Sequence, residues 1–502
     1  MNEKKKLVSN TFYLFLNWFL LSVINFFFWS IVGKFLNPNE YGIATTAINF
    51  SIFLSGISLI GLTSAISKLI PEYLAKKQEK KVFSLINFSA KIIFFSNVFI
   101  IVILIILAPK ISEIIKVPKD SIYLISITIF ILSLSSILGS IIYGYQNMRV
   151  FMYTDLIGTL AKFILVISLF QIGFNYYAPI ISFMIGYLLV SILRISKVKL
   201  EKNGFIDGKK VVANYALPAF ISGLAMNIFY YSQYFLLSSI KTTYQTGIFS
   251  VAMIISSIIL TVPNILTSAL FPITSYLSVW KNKKRNQAYL IEKIIRYAFF
   301  TTLPLAMFLV IFSRQIILIF SSKMYLESND ILKILVFSNL LFGIGNIFNQ
   351  NLYAIGKAKL QRNIVLVSVL TFLVLAFPLT EKFSYYGMVF SYLVSTLFFI
   401  ILSYIFIKKF IGIKFPINDV FKILFSSLIS FSILYIFVKI STSIVLEFIF
   451  LIFTLFLYLL ILRFLKFYEN EDKKILRYFS SKVSNNKFAI KILSLIEKFL
   501  GF

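Results

Sequence analysis

Apolar runs of some twenty residues follow one another along the whole chain, separated by short polar breaks. The first, "TFYLFLNWFLLSVINFFFWSIVG" (11–33), is about 34 Å long as a helix at 1.5 Å per residue. A transmembrane helix needs about 20 such residues to cross a hydrocarbon core about 30 Å thick. A β-barrel would instead show alternating segments of about ten residues. The pattern predicts an all-α polytopic membrane protein with spans near 11–33, 42–67, 85–108, 121–143, 151–172, 177–193 and 213–237. Further spans fall near 247–270, 290–313, 331–353, 363–379, 384–407, 418–438 and 443–462, about fourteen in all. The chain surfaces briefly at "KFLNPNEYGIA" (34–44), where Asn37-Pro38-Asn39 supplies turn chemistry and Gly42 lets the second helix start close against the first.

Composition agrees with this reading. The 502 residues are 59% hydrophobic and 14% charged, with a mean hydropathy of +0.90, whereas a soluble domain carries about 45–50% apolar and about 25% charged residues. The basic start "MNEKKKLVSN" precedes a stretch too long for a signal h-region and lacking a cleavage site, so it is read as leading into an uncleaved first span. Cysteine and histidine are absent, which removes disulfides and the side chain best suited to proton relays near neutral pH.

The net charge of +30 is not a nucleic-acid signature, because of where it lies. Alternate connections, together with both ends of the chain, hold 33 of the 49 Lys and Arg residues, and the opposite connections hold 10. By the positive-inside rule both termini are cytoplasmic, in the cell membrane, and the excess attracts anionic lipid. The tail 465–502, with apolar residues at helical spacing between lysines, is expected to lie in the membrane interface or against the underside of the protein.

An internal echo subdivides the chain. Glu40-Tyr41-Gly42-Ile43-Ala44 answers to Gln245-Thr246-Gly247-Ile248-Phe249, Thr63-Ser64-Ala65 to Thr267-Ser268-Ala269, and "IPEYL" to "ITSYL". Two parallel six-span lobes are expected, 1–200 and 201–410, followed by a pair of spans in 411–464 and the tail. Duplication of this kind places a substrate path between the repeats near the midplane, with alternating access by rocking.

Several marks carry a family resemblance: "GKFLNPNEYGIA", "SAISKLIPEYL", "YALPAFISGL", "QTGIFSVAMIISSIILTVPNILTSALFPITSYL" and "LYAIGKAKLQ". With these the chain resembles the polysaccharide-transporter (Wzx-type flippase) branch of the multidrug/oligosaccharidyl-lipid/polysaccharide exporter superfamily, over all but the last forty or so residues. The resemblance implies a V-shaped, two-lobed transporter with a central cavity. Its implied cargo is an oligosaccharide on a polyprenyl pyrophosphate, moved from the cytoplasmic to the outer leaflet. A monomer is expected, with no cofactor and with glycan-assembly enzymes as neighbours. Multidrug export and a polyprenyl-dependent glycosyltransferase are the alternatives. The first calls for an acidic cavity and the second for acids in an outer loop, where only Glu113 with Asp120 and Glu327 with Asp330 occur amid lysines.

Candidate substrate-binding residues follow. Lys162 lies near the middle of its span, where an ammonium faces a wet cavity or a partner. It suits a pyrophosphate; the alternative is a pair with Asp155, which is awkward within one helix because the two are about 10.5 Å apart along it. Lys68 and Lys34 guard the two mouths on this reading, or are plain interfacial charges. Arg296 and Lys91 lie one to two turns inside their spans, where snorkelling is favoured. The amides Asn25, Gln233, Asn264, Asn346 and Asn349 could meet sugar hydroxyls or bond between helices. Many relatives carry an acid near Gln233, and here the acids within spans are Asp155, Glu292, Asp419 and Glu447, all toward span ends. No P-loop, metal cluster or nucleophile constellation is found. With no mid-membrane carboxylate, transport is expected to run on the substrate gradient or the membrane potential. Proteoliposomes should therefore transport without an imposed pH or sodium gradient, and a strict requirement for either gradient would refute this.

Overall fold

The computed structural model describes residues 3–198, 206–278, 284–440, 444–469 and 472. Most of the expected interfacial tail, 470–471 and 473–502, lies outside the described residues. Among the described residues the chain is helical throughout, without strands. Thirteen segments are long and apolar enough to cross a membrane, and a last helix carries a shorter apolar stretch, Ile449–Phe464.

The first half comprises α1 (Glu3–Phe35), α2 (Pro38–Ser58), α3 (Leu62–Ala75), α4 (Glu79–Ile106), α5 (Ala108–Ile115), α6 (Lys119–Gly144), α7 (Met148–Gln171) and α8 (Tyr177–Ile195). A short α9 (Gly208–Val211) passes through a π-helical turn into α10 (Leu217–Ile240), which is followed by α11 (Thr243–Ser257) and α12 (Thr261–Ser278). Then come α13 (Lys284–Ile311), α14 (Ser313–Phe320), α15 (Ser328–Ala354), α16 (Ala358–Phe383) and α17 (Tyr385–Ile411), with α18 (Ile417–Ile440) and α19 (Ile444–Phe464) appended.

The repeat is visible in these boundaries. Pro38 and Thr243, Glu79 and Lys284, Ala108 and Ser313 open corresponding helices, each pair 205 positions apart. The two short helices α5 and α14 have no counterpart among the sequence-derived spans, because eight residues cannot register in a window sized for a bilayer.

The chain does not form a loop at Asn37-Pro38-Asn39. Asn37 caps α2 by accepting from the Glu40 N–H while the Glu40 carboxylate accepts from the Asn37 N–H, and Pro38 is already helical, as suits a residue whose missing N–H is an orphan there anyway. Thr242 caps α11 by accepting from the Gln245 N–H. The span expected over 42–67 is broken: Ile60 and Gly61 take positive φ and separate α2 from α3. Its counterpart over 247–270 is interrupted by a 3-10 turn at Ile258–Leu260.

The halves meet where α2 crosses α11. A Cβ on Gly42 would lie 1.7 Å from the Thr243 carbonyl oxygen, and one on Gly247 would lie 1.8 Å from the Pro38 carbonyl oxygen. Each glycine thus receives the first turn of the other helix. One turn past the glycines, the hydroxyls of Thr45 and Ser250, again equivalent, share a 3.0 Å hydrogen bond, and the Thr243 hydroxyl bonds Asn39. Ala44, Ala47 and Ile48 join Ile248, Val251 and Ala252 in one buried core common to both halves. We call this the hairpin face of the protein; the start of α1, the end of α8 and the start of α9 lie at the opposite, basic face. There Gly61 packs on the Ala216 carbonyl at the foot of α10.

Overpacking a contact this tight costs about 1–3 kcal/mol. Gly42→Ala and Gly247→Ala should each lower the melting temperature of the purified protein in detergent. Gly223→Ala, where a Cβ meets nothing within 4 Å, should leave it unchanged or raise it. Equal melting of all three would show that the contact does not constrain the halves.

Candidate functional site

Lys162 is turned inward, not toward lipid. It is 5% exposed, and its backbone is drawn close to α8 by small residues: Gly186 faces the Lys162 Cβ, and Gly158 faces Val190. From there the side chain reaches α1, where its ammonium donates to Asn25 Oδ1 at 2.6 Å. The rings of Phe28 and Phe183 lie 4.7 and 5.3 Å from the nitrogen, close enough for cation–π attraction. No carboxylate pairs with it among the described residues. Asn25 is half-buried, so this corner of the first half remains partly open.

Asp155 is committed elsewhere. Arg194, on α8, donates to its Oδ1 at 2.6 Å, and Asn17 Nδ2 donates to its Oδ2 at 3.3 Å. Arg194 also donates to Thr154 Oγ1 and to the Ser135 carbonyl and lies over the Phe151 ring, while Gly139 leaves room for its guanidinium. Sequence reasoning placed Arg194 with the loop charges and missed it. The available signal was depth: α7 leaves the basic face where α8 arrives, so the first turns of one face the last turns of the other.

Arg296 does not snorkel. It is 1% exposed, with ion pairs to Asp419 at 3.3 Å, Glu469 at 3.5 Å and Asp472 at 3.1 Å. It donates as well to the Phe467 carbonyl and covers the Phe467 ring at 4.1 Å. Tyr297 donates to Asp472 at 2.5 Å, and Lys293 pairs with Glu469. This cluster pins α18 and the segment after α19 to α13.

The remaining candidates are dispersed. Lys68 is exposed on α3 with its ammonium 4.5 Å from the Tyr215 ring at the foot of α10. One turn on, the hydrogen bond from Lys76 holds the Glu72 carboxyl below the usual carboxylate range, and Lys68 adds to this. Lys34 is exposed at the last turn of α1 on the hairpin face. Gln233 is fully buried, donates to the Phe229 carbonyl at 2.8 Å, and leaves its Oε1 without a partner.

In the second half Asn346 donates to Asn264 at 3.3 Å, and Asn349 accepts from Gln361 at 2.9 Å. A further chain, Tyr392 to Asn339 to Ser256, was not anticipated. The structure therefore brings together Lys162 with Asn25 and Asn264 with Asn346. It keeps Arg296 and Lys34 apart from both.

The sequence model of a family described as polysaccharide biosynthesis protein matches residues 31–330. The chain belongs to this family. An uncharacterized membrane protein of Methanocaldococcus jannaschii is 26% identical over 437 residues, covering 78% of this chain and 83% of the relative. Among solved structures, the lipid II flippase MurJ in an inward closed conformation superposes with a TM-score of 0.71 at 21% identity, over 90% of this chain and 98% of that one. An inward-facing multidrug resistance MATE family transporter gives 0.66 at 14% identity, over 78% and 94%. A transporter from Pyrococcus furiosus, whose reversed pocket polarity is taken to suggest a different function, gives 0.56 at 16% identity, over 82% and 97%. This member of the family is thus a multi-pass membrane protein with the fold of the exporter superfamily to which these transporters and flippases belong.

Removing one partner of a buried ion pair costs about 3–5 kcal/mol, whereas an apolar replacement of both is often neutral. Arg194→Met and Asp155→Leu should each destabilise the family member strongly, and the double variant should recover most of the loss, as read from melting curves in detergent. Additive losses would show that the two residues act independently.

Proposed function

We propose that the protein is a flippase carrying an oligosaccharide on polyprenyl pyrophosphate from the cytoplasmic to the outer leaflet of the cell membrane. The basic face is the cytoplasmic side on this reading, as the lysine distribution supports. The observation that carries the proposal is the Lys162 ammonium, buried within the first half and answered, among the described residues, by a neutral amide and two rings. The span carboxylates do not offset it. Asp155 is bound by Arg194, Asp419 by Arg296, and Glu292 accepts from the Lys414 N–H, while Glu447 belongs to the appended α19. An uncompensated cation favours an anionic cargo, and MurJ, by name a lipid II flippase, supports one that is lipid-borne.

In this mechanism the pyrophosphate enters from the basic face past Lys68 and displaces Asn25 from the Lys162 ammonium. The exchange replaces a neutral amide acceptor by an anionic phosphate oxygen and adds attraction between unlike charges away from bulk water, so it is favourable. The amides of Asn264 and Asn346 offer donors and acceptors to sugar hydroxyls from the opposite half. Release to the outer leaflet requires the α2–α11 contact at Gly42 and Gly247 to part, with Lys34 waiting at that mouth. The glycan-assembly enzymes are the expected suppliers of cargo, and a monomer suffices for the cycle.

Lys162→Met should abolish translocation of a polyprenyl-pyrophosphate oligosaccharide in proteoliposomes while inserting normally, and Lys162→Arg should retain part of it. A cationic dye offered in parallel should not cross. Dye transport without oligosaccharide transport would overturn the reading in favour of drug export, and wild-type flipping by Lys162→Met would remove this residue from the path.

A further inference from the structure

A second feature of the surface lies away from the cargo path. Between α4 and α6 runs a groove of about 580 Å³ lined by Ala90, Lys91, Phe94, Phe95, Phe130 and Leu134, among others. It continues past Phe130 into a shallower hollow of about 350 Å³ that reaches Ile105 and Tyr123. From Lys91 to Ile105 the wall rises about 21 Å, more than the roughly 15 Å depth of one leaflet's hydrocarbon, half of a core about 30 Å thick.

Lys91 is the only charged residue in this lining. It is exposed, and it has no hydrogen bond, ion pair or ring contact among the described residues. Neither wall offers it a carboxylate: the acids of α4 and α6 are Glu79, at the basic end of α4, and Asp120, at the hairpin end of α6. A lipid-facing ammonium one to two turns inside a span is costly unless it snorkels to a counter-charge, and the abundant counter-charge at the leaflet surface is a lipid phosphate. The main packing partners of α4 are α2, α3, α5 and α6, all in the first half. The second half reaches α4 at Phe88, which faces Gly208, while the groove itself is lined by residues of α4 and α6, both in the first half.

We infer that the α4–α6 groove is a binding site for one anionic phospholipid of the basic-face leaflet, its phosphate on Lys91 and an acyl chain laid along Phe94, Phe95, Phe130 and Leu134. This assignment is independent of the cargo proposed for the central path.

The full-length protein in detergent, titrated with phosphatidylglycerol or phosphatidylcholine and read by native mass spectrometry, tests it. One phosphatidylglycerol should be retained in preference to phosphatidylcholine. Lys91→Gln should weaken its retention about fivefold, the effect of one lysine near a membrane surface. Ala90→Trp, which keeps the charge and fills the groove, should also release the lipid, and Lys382→Gln on the hairpin face should not. Equal retention of the two lipids, or unchanged retention in Lys91→Gln, would overturn the site. Stoichiometric displacement of the lipid by a polyprenyl phosphate would overturn it in favour of the cargo tail, and displacement by inorganic phosphate would show a headgroup contact without a groove.

Discussion

A helix can lie directly on a neighbour's backbone carbonyl only where the residue at the contact carries no Cβ, and the architecture rests on one such contact made twice. Gly42 lies on the Thr243 carbonyl and Gly247 on the Pro38 carbonyl, so each half uses the same feature to receive the start of the other. The arrangement is that of a two-fold interface built within one chain. It fixes the relative height of the halves to a fraction of a helical turn. The Thr45–Ser250 hydrogen bond, between positions 205 apart, lies on the same local symmetry axis. Any motion that opens the hairpin face has to separate this reciprocal contact first.

Around that seam the membrane-embedded charges are disposed in different ways. Asp155 and Arg194 neutralise each other inside the first half, tying α7 to α8 and, through Asn17, to α1. Arg296 is surrounded by three carboxylates and holds the appended helices in place. Such clusters do little for net stability, because desolvation offsets their attraction, yet breaking them is expensive. Lys162 is unlike both. Among the described residues it has Asn25 and aromatic faces as company in a buried corner, and Lys91 lies exposed on the outer side of α4. Protein carboxylates satisfy the first two groups, and among the described residues no carboxylate pairs with either of the last two.

Much of the architecture was legible along the chain. Apolar runs long enough to span, their approximate ends and the recurrence of "EYGIA" as "QTGIF" all lie within windows of about twenty residues, the scale on which hydropathy and turn chemistry act. What escaped was shorter than that window or internal to it: α5 and α14, and the left-handed Ile60–Gly61 break that separates α2 from α3. Gly42 was singled out as the place where α2 could pack closely, although against α1 and not, as observed, against α11. Of the charges, Lys162 stood out by its depth alone, while Arg194, one residue from the end of its helix, was grouped with the loop cations although its depth matches that of Asp155.

The sequence by itself determined that this is a polytopic helical membrane protein, how often it crosses, and which residues are too polar to sit idle in lipid. Only the tertiary structure decided who meets whom. Lys162 bonds Asn25 across 137 residues, Asp155 takes Arg194 across 39, and Arg296 takes Asp472 across 176. The physical reason is that burial is a property of each helix and is written in its composition. A partner depends on the rotation and depth of two helices at once, which are set by contacts such as those at Gly158, Gly186 and Gly42 that no single helix contains.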